Sequence, residues 1–195
     1  MRSSRDIARR RPQRRERLRI LVVAEGAKTE VQYVQGLVQH LRRSGVAVRG
    51  TVTHGIGRDP ERVLAAAERY SAEDPDGFDS VWVLLDVDKH AHLQRSLARA
   101  HAAGIRALVS NPCFELWLLW HFAQMNQHHD GEWLKQKLRQ YGHDGKAISS
   151  AFPFEHYEAA VARALDPRRA VDCCVKGGNP SSAMPLLVET LLAGG

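Results

Sequence analysis

Two nearly continuous apolar runs, residues 18–24 (LRILVVA) and residues 80–85 (SVWVLL), constrain the fold of this chain more than any other feature. Each is short, rich in branched residues and without the polar alternation of a strand that has one wet face. Runs of this kind are expected as strands covered on both faces, which requires helices above and below a mainly parallel sheet. The intervening sequence supplies them. Gly26 breaks the first run, and Thr29 with Gln32 makes a capping-box pattern ahead of Val31, Val34, Leu37, Val38 and Leu41, which recur at helical spacing. Residues 46–53 alternate as a strand does, and Asp59 with Pro60 reads as the N-cap and first residue of a second helix carrying Val63, Leu64 and Ala67. A third helix is expected over residues 91–102, stopped by Gly104, and a fourth strand over 105–110.

From Asn111 the character changes. Asn111–Pro112 and Asn179–Pro180 are each expected to cap an apolar helix, the first through Phe114, Trp117, Leu118 and Trp120, the second through Met184, Leu187 and Leu191. Shorter helices are expected near residues 133–138 and 154–165, with turns at Gly142, Gly145 and Gly177. The organisation that follows is a basic disordered arm over residues 1–17, an α/β core over 18–112 with a four-stranded, mainly parallel sheet flanked by helices, and a helical extension over 113–195 packed on that core.

Composition narrows the class of protein. A chain of 195 residues can bury a proper core, no apolar run nears the ~20 residues needed to cross a bilayer, and the arginine-crowded start lacks the apolar centre of a secretory signal. A cytoplasmic protein with no membrane partner is expected. Cys113, Cys173 and Cys174 form no CxxC pair, which argues for a reducing compartment and against structural zinc. The net charge of +6 is concentrated: residues 1–19 hold nine arginines against Asp6 and Glu16, and the remainder is close to neutral. The arm, Arg9, Arg10 and Arg11 included, is therefore expected to contact nucleic-acid phosphates through counterion release.

The chemistry is expected at the ends of the two apolar runs. Asp86-Val87-Asp88 follows the second, and residues two apart on an extended chain point the same way, so both carboxylates can share a hard cation such as magnesium or manganese. Glu25 follows the first run. If the two strands are parallel, Glu25, Asp86 and Asp88 emerge on one side of the sheet, where ligands of such sheets sit. Three carboxylates there would hold a metal ion or work as general acid and base beside it. Glu115, a carboxylate among Phe114, Trp117 and Leu118, is a further candidate ligand, while Lys28 and Asn111 are candidates to touch substrate. The plainer readings are that a DxD begins a turn, that Asn111 and Ser181–Ser182 cap helices, and that Lys28 is solvated.

These residues also resemble a known pattern. Glu25-Gly26-x-Lys28-Thr29-Glu30 after one strand and Asp86-Val87-Asp88 after a later one look like the Toprim fold of topoisomerases, primases and OLD-type nucleases. The ordered set AEGAKTE, DVDKH, SNPCFELWLLWHF and GGNPSS resembles the RloB-like family, associated with restriction loci and abortive phage defence, over about residues 20 to 192. The resemblance implies a Toprim core, nuclease activity on DNA or RNA (tRNA included), and a defence setting in which a partner ATPase of the AAA or ABC type is sometimes encoded nearby. It also implies that Glu25 shuttles a proton at the scissile phosphate while Asp86 and Asp88 hold magnesium.

Other patterns carry less. Gly55-x-Gly57 lacks the third glycine of a dinucleotide fingerprint, and His90 with His92, or His128 with His129, lacks the spacing of helical zinc motifs. Trp82, Trp117 and Trp120 are expected in the core, and Cys113 has no paired base in the sequence. A haloacid-dehalogenase-like phosphatase or sugar-nucleotide transferase also uses DxD, but the former places it on the first strand. The stronger alternative is a non-catalytic sensor, binding nucleic acid or nucleotide as the partner subunit of a defence ATPase. Self-association as a homo-oligomer is left open.

Overall fold

A computed structural model describes residues 19–48, 50–57, 59–87, 92–143, 147–165 and 172–193; the arginine arm, Asp88, Lys89, His90 and Gly145 lie outside these. Strand β1 (Arg19–Ala24) leads into α1 (Thr29–Arg43), β2 (Gly50–Gly55) into α2 (Pro60–Glu73), and β3 (Ser80–Asp86) into α3 (Leu93–Ala102). Then come β4 (Arg106–Asn111), α4 (Glu115–Leu119), α5 (Gly131–Arg139), a 3-10 turn (Phe154–His156), α6 (Tyr157–Ala164), β5 (Ser181–Ser182) and α7 (Met184–Leu192). The sheet has the order β2-β1-β3-β4-β5; the first four strands are parallel and β5 is antiparallel to β4. This is the expected Toprim-like α/β sheet with one short strand added. None of the described helices is long and apolar enough to cross a membrane.

Alternation along the strands divides the core in two. Ile20, Val22, Ala24, Trp82, Leu84 and Leu108 pack with α1, α4 and α7, whereas Leu21, Val23, Val83, Leu85, Ala107 and Val109 pack with α2 and α3. Both faces of β1 and β3 are therefore dry, the physical reason their sequences read as continuous apolar runs. Asp59 caps α2 as expected, its side chain accepting from Arg62 N–H at 3.3 Å with Pro60 in the first turn. Gly104 stops α3 with φ at +68°.

Three local expectations are corrected. The second strand occupies Gly50–Gly55, a few residues later than the alternation implied, where it pairs residue for residue with β1 from Arg19 opposite Gly50 to Ala24 opposite Gly55. Helix α1 has no side-chain cap at Lys28, and Gln32 turns outward to accept from Ile148 N–H at 2.9 Å. Neither Asn–Pro pair caps a helix. Asn111 ends β4 and donates from Nδ2 to the Gly177 carbonyl at 2.7 Å, and α4 begins after Phe114 with no side-chain cap. Asn179 donates to the His129 carbonyl at 2.8 Å, and the residues after Pro180 form β5 against Asn111 and Ser110 before α7 starts at Met184. Both Asn–Pro peptide bonds are cis. The main-chain groups on the outer edge of β4 need partners, and the C-terminal segment supplies them, which wins over local capping.

Tyr33, fully buried on α1, organises the larger half of the core. Its ring meets Phe114, Trp117, His121 and Phe152 edge-on, with centroids 5.4 to 6.1 Å apart. Its hydroxyl lies 3.1 Å from His121 Nε2, and His121 Nδ1 lies 3.2 Å from the Trp117 carbonyl. A carbonyl can only accept, so Nδ1 carries the proton and Nε2 takes the tyrosine hydroxyl. Trp82, Trp117 and Trp120 are buried as expected. Gly36 is required where α1 meets the 3-10 turn, because a Cβ there would fall 2.1 Å from Phe154.

Burial pushes the His121 imidazole down to about 4. The unfolded chain therefore takes up this proton near pH 6.5 while the folded chain does not, so the contribution of His121 is intact above about pH 6.5 and drains away as the pH falls toward 4. Wild type is expected to lose stability relative to His121→Gln over that interval, by up to about 1.4 kcal/mol per pH unit. Urea unfolding of both proteins between pH 7 and 4 measures the difference.

Candidate functional site

Parallel pairing of β1 with β3 sets Ala24 opposite Leu84, so the residues after both strands emerge at the same end of the sheet. Glu25 N–H donates to the Leu84 carbonyl at 3.0 Å, and Glu25 Oε2 accepts from Asp86 N–H at 3.3 Å. Asp86 follows Trp82 and Leu84 onto the face of α1 and α4, where its carboxylate accepts from the Phe114 main-chain N–H. On the same side Glu30, in the first turn of α1 and only 7% exposed, folds back so that Oε1 accepts from Gly26 N–H at 3.1 Å. Glu115 opens α4, 8% exposed, with Lys135 Nζ 3.8 Å from its Oε1.

Space dictates glycine at Gly55 on this rim, and at Gly26 it leaves room for the folded-back Glu30 carboxylate. A Cβ on Gly26 would lie 1.9 Å from Glu30 Oε2, and one on Gly55 would lie 2.6 Å from the Gly26 and Ala27 carbonyls. The end of β2 thus supports the β1–α1 loop, reinforced by Gly57 N–H donating to the Glu25 carbonyl at 2.8 Å.

The electrostatics record what this gathering costs. Burial, then the negative charges of Glu30, Glu115 and Glu25, hold the Asp86 carboxyl well above its usual range, against the opposing Phe114 N–H. Glu30 is raised by burial, with Glu115 and Glu25 adding to it and the N–H groups of Gly26 and Glu30 opposing. Burial with Glu115 and Asp86 nearby also pushes the Cys113 thiol up, so it is no thiolate nucleophile. Carboxylates crowded in this way require a proton or a cation. A donor set of carboxylate oxygens suits a hard ion such as magnesium or manganese. Among the described residues no three His, Cys, Asp or Glu side chains close on one point as a finished metal site, and Asp88 lies outside those residues.

The structure brings together Glu25 and Asp86 from segments 61 residues apart. Glu115 joins them. Asn111 is occupied at the edge of β4 by Gly177, and Lys28 is exposed at the start of α1. Arg9, Arg10 and Arg11 lie outside the described residues. Ser181 and Ser182 are not at a helix start: Ser182 Oγ is 2.9 Å from Ser110 Oγ, and Ser181 Oγ is buried without a hydrogen-bond partner among the described residues. His92 and His128 are exposed. Glu30 entered the sequence reading only within the Glu25–Glu30 motif and not as a site residue. Its signal was present, since Glu30, Tyr33, Val34, Leu37 and Leu41 share one helical stripe and an acid on the buried stripe has to face something polar. An apolar groove of about 830 Å³ between α6 and α7 is lined by none of these acids.

Raised carboxyls favour the folded state at low pH and lose that advantage as the pH rises through their folded values, so without metal Asp86 and Glu30 leave the protein less stable as the pH rises than it is in acid. Asp86→Asn, which keeps an oxygen for the Phe114 N–H, is expected to raise the melting temperature by about 2–4 °C in chelator, as a gain near 1 kcal/mol would. Differential scanning calorimetry at pH 7.5 reads it.

The family model described as RloB-like protein matches residues 20–191. No curated protein and no solved structure matches the chain. The matched span runs from β1, whose end carries Glu25, into the last turn of α7, so the sheet, the acidic rim and the C-terminal strand all fall within it, and the chain belongs to the RloB-like family.

Proposed function

We propose that this protein is a divalent-metal-dependent nuclease acting on DNA or RNA in phage defence. The reading rests on one observation: the Glu25 carboxylate is bound to the main-chain amide of Asp86, so acids from two distant segments share one end of the sheet. Selection for stability alone would not collect Glu25, Glu30 and Glu115 where each raises the cost of ionising Asp86, whereas binding a cation would.

Asp86 and Asp88, with Glu30 and Glu115 beside Asp86, are the residues that would hold the ion. Magnesium or manganese, when bound, polarises a phosphoryl oxygen and stabilises the leaving group. Glu25 stands half-exposed at the lip, where its carboxylate can accept the proton of an attacking water. Lys28, exposed just before α1, can meet a phosphate. The Phe114 N–H fixes the Asp86 carboxylate so that it need not reorganise when charge develops.

The alternative, a non-catalytic subunit that docks nucleic acid or an AAA- or ABC-type ATPase, draws on the arginine arm. One assay separates the two. Incubated with plasmid and total tRNA in magnesium or manganese, wild type is expected to cut, and Asp86→Asn to lose at least a hundredfold in rate while staying folded. Removal of residues 1–17 is expected to weaken binding in a salt-dependent way and spare the chemistry. Undiminished cutting by Asp86→Asn would end the nuclease reading.

A further inference from the structure

Beside the acidic rim lies a pair of rings that the chemistry above does not use. His129 and Trp133 are stacked, with centroids 3.5 Å apart and planes within 3° of parallel, and both residues are half-exposed. The stack is not needed to start α5, because the Asp130 side chain already caps that helix by accepting from Trp133 N–H at 2.8 Å. It is held from outside: Asn179 donates to the His129 carbonyl at 2.8 Å and accepts from the His129 N–H at 3.5 Å. Asn179 directly precedes the Pro180–Ser181 link into β5, and Ser181 is paired with Asn111 at the end of β4. Two residues along α5 from Trp133, Lys135 reaches Glu115 of the rim, and Lys137 sits one turn from the tryptophan.

We propose that the His129–Trp133 stack is a platform for an unpaired nucleobase, which would make single-stranded nucleic acid, or an unpaired loop, the substrate class of the neighbouring acidic centre. A flat aromatic surface recognises a base by its face, and that face is available only when the base is out of a duplex. Lys137, on the same side of α5 as Trp133, supplies a cation for a flanking phosphate, which an exposed aromatic patch made for a protein partner would not need. The inference depends on the nuclease reading for the nature of the ligand, but binding can be measured without cleavage.

Of the four tryptophans, Trp82, Trp117 and Trp120 are at most 1% exposed, so a base that quenches the protein's fluorescence on contact reports on Trp133. The full chain carrying Asp86→Asn, in calcium, is titrated with a fluorescein-labelled single-stranded 12-mer and with its duplex. The single strand is expected to quench tryptophan emission and the duplex to do so much less. Trp133→Leu added to that chain should weaken single-strand binding about tenfold, His129→Ala should weaken it less, and Trp133→Phe should keep the affinity while losing the quench. Unchanged affinity in folded Trp133→Leu and His129→Ala, or equal quenching by duplex, overturns the platform. If these variants lose binding yet wild type cuts nothing in magnesium, the platform stands and the nuclease reading falls.

Discussion

Everything at the acidic rim depends on β1 and β3 lying side by side and parallel. That register places the Asp86 amide within reach of the Glu25 carboxylate and makes the carboxyl end of the sheet a shared lip. Helices α1 and α4 then add Glu30 and Glu115 by their first turns, where the exposed amides at a helix start favour negative charge. The Phe114 N–H on Asp86 and the Gly26 N–H on Glu30 offset only part of the cost of burial and mutual repulsion, and both carboxyls stay raised.

A rim under that repulsion has to be held by something stiffer than itself. The Tyr33 cluster does this on the face that carries the acids, since the helix that presents Glu30 is the one whose next turn buries Tyr33 against α4 and the Phe152–Phe154 segment. The hydroxyl of Tyr33 and both ring nitrogens of His121 are paired, so this polar insertion sets one orientation of α1 against α4 without leaving an unmet group of its own. Local instability at the site and rigidity beneath it are two results of one packing arrangement.

The C-terminal segment is more than a covering of helices. By adding β5 to the free edge of β4 and fixing Asn111 to Gly177 and Asn179 to His129, it ties the α4–α5 region to the same end of the sheet as the acids. Its two asparagines read locally as helix caps, and a single sequence window has no means of knowing that a strand edge, remote in the chain, competes for the same residues. The capping box at Thr29 failed for a related reason: Gln32 found a partner in Ile148, more than a hundred residues away.

The sequence by itself determined the four parallel strands, the second of them to within a few residues, the helices between them and the positions of Glu25 and Asp86 at strand ends, because apolar runs and their breaks are local consequences of burial and need no distant partner to be read. Only the tertiary structure decided that Glu30 turns inward to the rim, that Glu115 meets Lys135, that Asn111 serves an edge and that His129 lies on Trp133. Each of those depends on which surfaces meet across the fold, and a polar side chain's partner is chosen by proximity in space and desolvation rather than by its neighbours in the chain.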